Sequence, residues 1–309
     1  MKTVHPTAQL NPKETDMIID RKSLDELPVF KSHDSVEEAS AAFLENPIKL
    51  LLAAYHECGP IFRMALGGEW KIILTGLESN DFIWRNPRLF SYGVGNKPFL
   101  EQMGHDHLTG LDGDHHKLKK KILKPAFSMA GAMRYLSIFN RIMSDKLDTL
   151  DPEVPTEMAE LWARTIIDIN RKTVAVCEIE DEMIELMSKW EFEFLRGLVL
   201  GEDRHEFFAR EEYTSLKKQV FELFHRVLAE RLDEGKIVED NLNEVLKTRG
   251  EEEDPIDRDN AANDLYFILL AGVHNTAALI DSCIHFVYTR PEWLAALREE
   301  LDAWDGEDL

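Results

Sequence analysis

Cysteine is scarce in this chain. Three residues in 309, Cys58, Cys177 and Cys283, are too few and too scattered for a disulfide framework or a zinc module, so reduced and mostly buried thiols are expected. Basic residues are outnumbered, and the resulting net charge of −22 argues against nucleic acid as a general partner while suiting a soluble, cytoplasmic protein. Residues Met1 to Asp20 lack a long apolar run and carry Lys13, Glu14 and Asp16. That segment reads as neither signal peptide nor membrane anchor and is expected to be loosely ordered. Strand-like stretches are few too, which leaves a mainly α chain with a small β part (α+β). Its length suits one large domain, taken as 1–309.

Breakers and periodicity then divide the chain. Asn46 to Tyr55 reads as a capped amphipathic helix ended by Gly59-Pro60. Two β-rich runs, Ile61 to Leu66 and Trp70 to Thr75, flank Gly67-Gly68-Glu69 and predict a hairpin. Leu77 to Arg85 is helical and stops at Asn86-Pro87. Ser91 to Leu111, with its glycines and little periodicity, reads as a long surface loop with one helical turn near Phe99-Leu100; loops this long inside domains are usually functional. Further helices are expected over Asp114 to Lys124, from the N-cap Ser128 to Leu147, and over Pro155 to Val176, Glu180 to Leu200, Glu211 to Asp233 and Val238 to Arg249. A last one opens at Pro291 and runs to about Trp304.

One window reverses the charge of the whole. From His115 to Ser144 there are seven Lys or Arg (Lys117, Lys119, Lys120, Lys121, Lys124, Arg134 and Arg141) and no Asp or Glu. A solvated face is the ordinary fate of such a run. In so acidic a chain, an anionic cofactor or an acidic protein partner explains it equally well.

Asn260 to Tyr288 organises the rest. It has no proline, is apolar on nearly every face, ends before Arg290-Pro291 and predicts one buried central helix roughly 40 Å long. Polar interruptions at Asp264, His274, Asn275 and Asp281 argue against a bilayer span. Its middle reads Ala271-Gly272-Val273-His274-Asn275-Thr276, and Phe267, Ala271 and Asn275 share one stripe at i, i+4 and i+8. Small residues there mean either a tight helix crossing or a shallow gap for a flat ligand.

These residues resemble the cytochrome P-450 family of heme-thiolate monooxygenases over most of the chain. Gly59 to Gly76 is similar to the family's first β-hairpin and the turn after it. Gly113 to Ser128 resembles its C helix, where a Trp or His and, four residues on, an Arg bind a heme propionate; those positions fall on His116 and Lys120. Ala271 to Thr276 resembles its I-helix signature, Ala/Gly-Gly-x-Asp/Glu-Thr-Thr. The resemblance implies a helical fold around a long central helix and dioxygen-dependent oxygen insertion into an apolar small-molecule substrate. Heme would be held by His116, Lys120, Ala271 and Gly272. Phe99, Leu100 and Phe267 would line the substrate pocket. His274, Asn275 and Thr276 would relay protons as the catalytic set. Lys117, Lys119, Lys121 and Lys124 would dock an acidic ferredoxin- or flavodoxin-type electron donor.

Departures accompany the likeness. His274 replaces the usual acid, as in some sterol demethylases, Asn275 replaces the usual Thr with Thr276 beside it, and Lys120 replaces Arg, losing the bidentate fork. None of the three cysteines lies in the family's Phe-x-x-Gly-x-x-x-Cys-x-Gly loop, so inert core cysteines and a chain corresponding to the N-terminal two-thirds of such an enzyme, without the heme-ligand part, are expected. Two rival readings stay open. One is a non-catalytic helical binding protein that kept the fold and lost the heme. The other is a metal cluster of His105, His107, His115 and His116 near Asp106 and Asp114, whose spacing matches no defined site.

Overall fold

The computed structural model describes residues 26–31, 36–66, 69–127, 129–253 and 255–304. Expectations for Met1 to Asp20, for Gly67-Gly68 and for Ser128 as N-cap fall outside them. The fold is mainly α with one two-stranded antiparallel sheet. It divides into two compact units, 1–87 and 88–309.

The first unit holds α1 (Val36–Glu45), α2 (Pro47–Cys58), β1 (Ile61–Leu66), β2 (Glu69–Leu74) and α3 (Gly76–Arg85). Asn46 caps α2 by accepting from the Lys49 N–H at 2.9 Å, and Gly59 ends it at φ +84°, a conformation that costs glycine little. Ile61 pairs with Leu74 and Leu66 with Glu69, so alternation turns Phe62 and Met64 inward with Phe30, Leu50 and Ala54 to form a small core.

In the second unit follow α4 (Tyr92–Gly95), α5 (Lys97–Met103), α6 (Gly113–Leu123), α7 (Met129–Asp148), α8 (Met158–Thr173) and α9 (Asp181–Leu198). Then come α10 (Arg204–Phe208), α11 (Glu211–Leu232), α12 (Asn241–Gly250), α13 (Arg258–Leu269), α14 (Val273–Tyr288) and α15 (Pro291–Ala303). The segment expected as a surface loop is largely helical. Ser91 caps α4, Asp112 accepts from the Tyr92 N–H at 2.7 Å, Pro98 sits in the first turn of α5, and Met103 and His107 are buried.

The central helix is two helices. Val273 N–H reaches the carbonyl of Leu270 (2.8 Å) instead of Leu269, and Ala271 N–H reaches back five residues to Tyr266 (3.3 Å). The freed Leu269 carbonyl accepts from Asn170 Nδ2 on α8 at 2.8 Å, so the break leaves that buried group satisfied. Burial also changes at the break. α13 is enclosed, packed against α8, α11 and α12, whereas α14 buries only Val273 and Ala277 and exposes Leu279, Phe286 and Tyr288. By length and composition alone Arg258–Tyr288 is apolar enough to cross a membrane.

Candidate functional site: the broken helix and the residues around it

Gly272 decides between the two readings of the small residues. A Cβ built there would meet nothing within 4 Å, so no tight crossing occupies that position. Ala271 is half-buried beside it, and Thr276 Oγ1 donates to the Gly272 carbonyl at 2.8 Å. Asn275 is exposed, its Nδ2 3.5 Å from the Ala271 carbonyl. The break therefore presents an open, nearly side-chain-free strip followed by hydroxyl and amide groups.

His274, next along, turns the other way. Its Nε2 lies 3.2 Å from the Ser188 carbonyl and 3.8 Å from Glu191 Oε2, both on α9. A carbonyl only accepts, so Nε2 carries the proton. Burial, opposed by the Ser188 bond, holds the ring's pKa below the ordinary histidine value. The ring also lines a cleft of about 430 Å³ with Glu160, Arg164, Glu185, Lys189 and Phe192. Glu191 is 1% exposed, its Oε2 has no hydrogen-bond partner among the described residues, and burial pushes its pKa well above the usual carboxylate range. Sequence reasoning missed this acid, although a signal existed. Ile184, Met187, Glu191 and Phe194 fall on one helical stripe, and the other three are core residues.

The aromatic expectations converge. Phe99 lies 4.9 Å from Phe194, 6.3 Å from Tyr266 and 4.5 Å from His107 between ring centroids, and Phe267 lies 5.7 Å from His107. Leu100 packs instead on the Leu108–Gly110 turn, where a Cβ on Gly110 would fall 2.0 Å from its Cδ2.

The basic run does not act as one face. Lys119, expected on a docking surface, is 2% exposed and pairs with Asp106 (2.6 Å) and Asp264 (2.6 Å). The Asp264 contact is an ion pair without hydrogen-bond geometry at Oδ1. Fully buried Arg249 completes the group, meeting Asp264 at 2.5 Å, Glu253 at 2.6 Å and Asp106 at 3.3 Å. Burial raises the pKa of Asp264 above the ordinary carboxylate value, against the pull of Lys119 and Arg249. Helical spacing foreshadows the inward turn, because Lys119 shares a stripe with buried Ile122 and Leu123. Lys121 is tied to Glu252 at 2.5 Å and Lys117 to Asp114 at 2.8 Å, both lysines staying exposed. Lys120 and Lys124 are exposed with no ion pair among the described residues, and His116 stacks on Tyr92 at 5.7 Å. Among the described residues no three His, Cys, Asp or Glu stand close enough to hold a metal, so the four histidines near Asp106 do not assemble.

A mostly helical fold with one small hairpin, and an open strip at a break in its central helix, defines a class of proteins, and comparison identifies it. The sequence model of the cytochrome P450 family matches residues 27–308, and the chain belongs to that family. It is 23% identical, over 85% of its length, to the self-sufficient cytochrome P450 monooxygenase CYP505E3 of Aspergillus terreus, spanning 27% of that protein. To lanosterol 14-alpha demethylase of Bos taurus it is 21% identical over 82% of its length, spanning 51% of the relative. The chain thus covers about a quarter to a half of these relatives. In fold it matches retinoic acid-bound cyanobacterial CYP120A1 with a TM-score of 0.72 at 17% identity, covering 84% of this chain and 60% of that one.

The family implies heme, and the residues fit it in part. Gly272 and Ala271 leave room for a flat ring, and exposed Lys120 offers a cation beside His116 for carboxylates. The three cysteines do not suit an axial thiolate. Burial pushes the Cys177 thiol up to about 11, burial and the neighbouring Glu57 raise that of Cys58, and Cys283 sits roughly 16 Å along the helix from Gly272.

Proposed function

We propose that this chain is part of a heme monooxygenase that inserts an oxygen atom from dioxygen into an apolar small molecule, its two units belonging to one P450 domain. The observation that carries the reading is the open strip at Ala271-Gly272, in a chain matched to the family through both units. The share of its relatives that the chain spans, and the apolar face left exposed on α14, support its being the N-terminal part of a longer enzyme that supplies the thiolate elsewhere. Its net charge of −22 supports a cytoplasmic protein, and the enclosure of α13 among other helices supports a core role for that half of the apolar stretch.

Heme, when bound, supplies the dioxygen chemistry; the chain's own groups prepare the site. Ala271 and Gly272 keep the strip clear, and Lys120 with His116 holds carboxylates. Phe99 and Phe267 give an apolar wall that excludes water and seats the substrate. Glu191 holds a proton in an apolar setting 3.8 Å from His274, whose Nε2–H is given to the Ser188 carbonyl, so Nδ1 is the nitrogen at which that ring can take up a proton. The Thr276 hydroxyl, its proton turned to Gly272, accepts from or orders a water, and Asn275 holds one beside it. Exposed Lys117, Lys121 and Lys124 favour an acidic ferredoxin- or flavodoxin-type donor; Lys119 is excluded by its burial.

Hemin titration followed by absorbance tests the reading. The 309-residue chain should bind weakly and show no thiolate signature when reduced under CO, and Lys120→Glu should weaken binding further, by about tenfold. A thiolate spectrum from this chain alone, or no binding even when the downstream coding sequence is added, refutes it.

A further inference from the structure

The exposed lysines of α6 carry counter-ions from their own chain. Lys117, Lys120, Lys121 and Lys124 stand at i, i+3, i+4 and i+7, on one side of the helix and its C-terminal end, and all four are exposed. Lys117 meets Asp114 one turn earlier at 2.8 Å, an ordinary local pair. The partner of Lys121 comes from 131 residues away. Glu252 Oε1, in the turn between α12 and α13, accepts from its Nζ at 2.5 Å. The bond to Glu252 and then the Glu252 charge hold the Lys121 pKa above the ordinary lysine value, and Glu251 adds to the effect. Lys120 and Lys124 have no ion pair among the described residues.

The turn that presents Glu252 is fixed from beneath. Glu252 and Glu253 both donate their N–H to the Arg249 carbonyl at 2.9 Å, and Glu251 donates to the Lys247 carbonyl at 3.2 Å. The fully buried Arg249 guanidinium in turn holds Glu253 at 2.6 Å and Asp264 at 2.5 Å. The backbone of Glu252 is thus in place whether or not the contact with Lys121 forms. Its carboxylate occupies the position that a partner's acid would take on this ammonium, whose side chain is 61% exposed. We propose that Glu252 is an internal competitor for the docking face: it holds Lys121 in the unbound protein, a carboxylate of the acidic electron donor must displace it, and Lys124 takes the first contact. This rests on the reading of Lys117, Lys121 and Lys124 as the donor's surface. Its consequence is a weaker, faster-dissociating complex than three unpaired lysines would give, because Glu252 recaptures Lys121 as the donor leaves.

Isothermal titration with a plant-type [2Fe–2S] ferredoxin as the acidic probe tests it, on the full 309-residue chain and its Glu252→Gln, Lys121→Met and doubly substituted variants. Glu252→Gln is expected to tighten binding about 2- to 5-fold at low salt and less than about 1.5-fold in about 0.5 M salt, where both the internal pair and the docking contacts are screened. In the Lys121→Met background, where no lysine is left to release, the same substitution should change affinity by less than about 1.5-fold. Equal tightening in both backgrounds means that Glu252 acts through general repulsion, and unchanged or weaker binding of Glu252→Gln means that it only staples the turn to α6. Either result overturns the proposal and leaves the docking face standing if Lys124→Glu still weakens binding. If the ferredoxin does not bind the parent chain, or binds Lys124→Glu equally well, the docking face is refuted and the proposal with it.

Discussion

Glu191→Gln isolates the cost of one buried carboxyl. In the folded chain the group is 1% exposed, Oε2 lacks a partner among the described residues, and burial raises its pKa well above the ordinary 4.5. The folded form therefore holds a proton that the unfolded form releases once the pH exceeds 4.5. Stability must fall as pH rises from there to the folded-state value, by about 1.4 kcal/mol per pH unit for a single proton. His274, 3.8 Å away, has its own pKa lowered by burial, which works against a charge on its ring. Glutamine keeps the volume and removes the proton. Its absolute effect is mixed, since a buried unpaired amide costs about 1–3 kcal/mol itself. The pH dependence is not mixed. Urea unfolding of both chains at pH 5 and pH 6 should give a stability difference that shifts by about 1.4 kcal/mol in favour of the variant at the higher pH. A difference that stays constant with pH would show that Glu191 is solvated or paired, and the reasoning about its proton would fail.

Other expectations rest on separate features. Asp264→Asn leaves Lys119 and Arg249 buried with less opposing charge, and should cost about 3–5 kcal/mol in urea unfolding, part of it recovered by adding Lys119→Met; a loss below about 1 kcal/mol contradicts the network. Asn170→Ala removes the donor to the Leu269 carbonyl and should cost about 1–3 kcal/mol, while Gly272→Ala, with open space at Cβ, should change stability by less than about 1 kcal/mol. His274→Ala in the heme-loaded enzyme should lower product formed per reducing equivalent while substrate affinity stays near normal; unchanged coupling assigns His274 to packing. Lys117→Glu with Lys124→Glu should slow reduction by an acidic donor several-fold at low salt and flatten its salt dependence, and equal rates at low salt would make these lysines plain solvated residues.

Local signals in the sequence determined the boundaries of most elements. Alternation about Ile61 to Leu74 specified a hairpin whose register turns Phe62 and Met64 inward, and Asn46 and Pro291 marked helix starts that occur where capping and ring geometry require. The motif residues His116, Lys120 and Ala271 to Thr276 pointed to the family that the match over 27–308 establishes. Helical spacing also carries the inward stripes that include Lys119 and Glu191. Other features depend on partners far away in the chain. Nothing between Asn260 and Tyr288 requires the helix to break after Leu269; Asn170, 99 residues earlier, makes the break tolerable by taking the freed carbonyl. His274 faces α9 because Ser188, 86 residues away, accepts its proton there. His107 Nε2 lacks a partner among the described residues because three rings from α5 and α13 close over it. Capping, turn chemistry and periodicity act within a few residues and can be read in order along the chain. Which polar groups end up buried, paired or unpaired depends on packing between distant segments, and only the tertiary structure decides it.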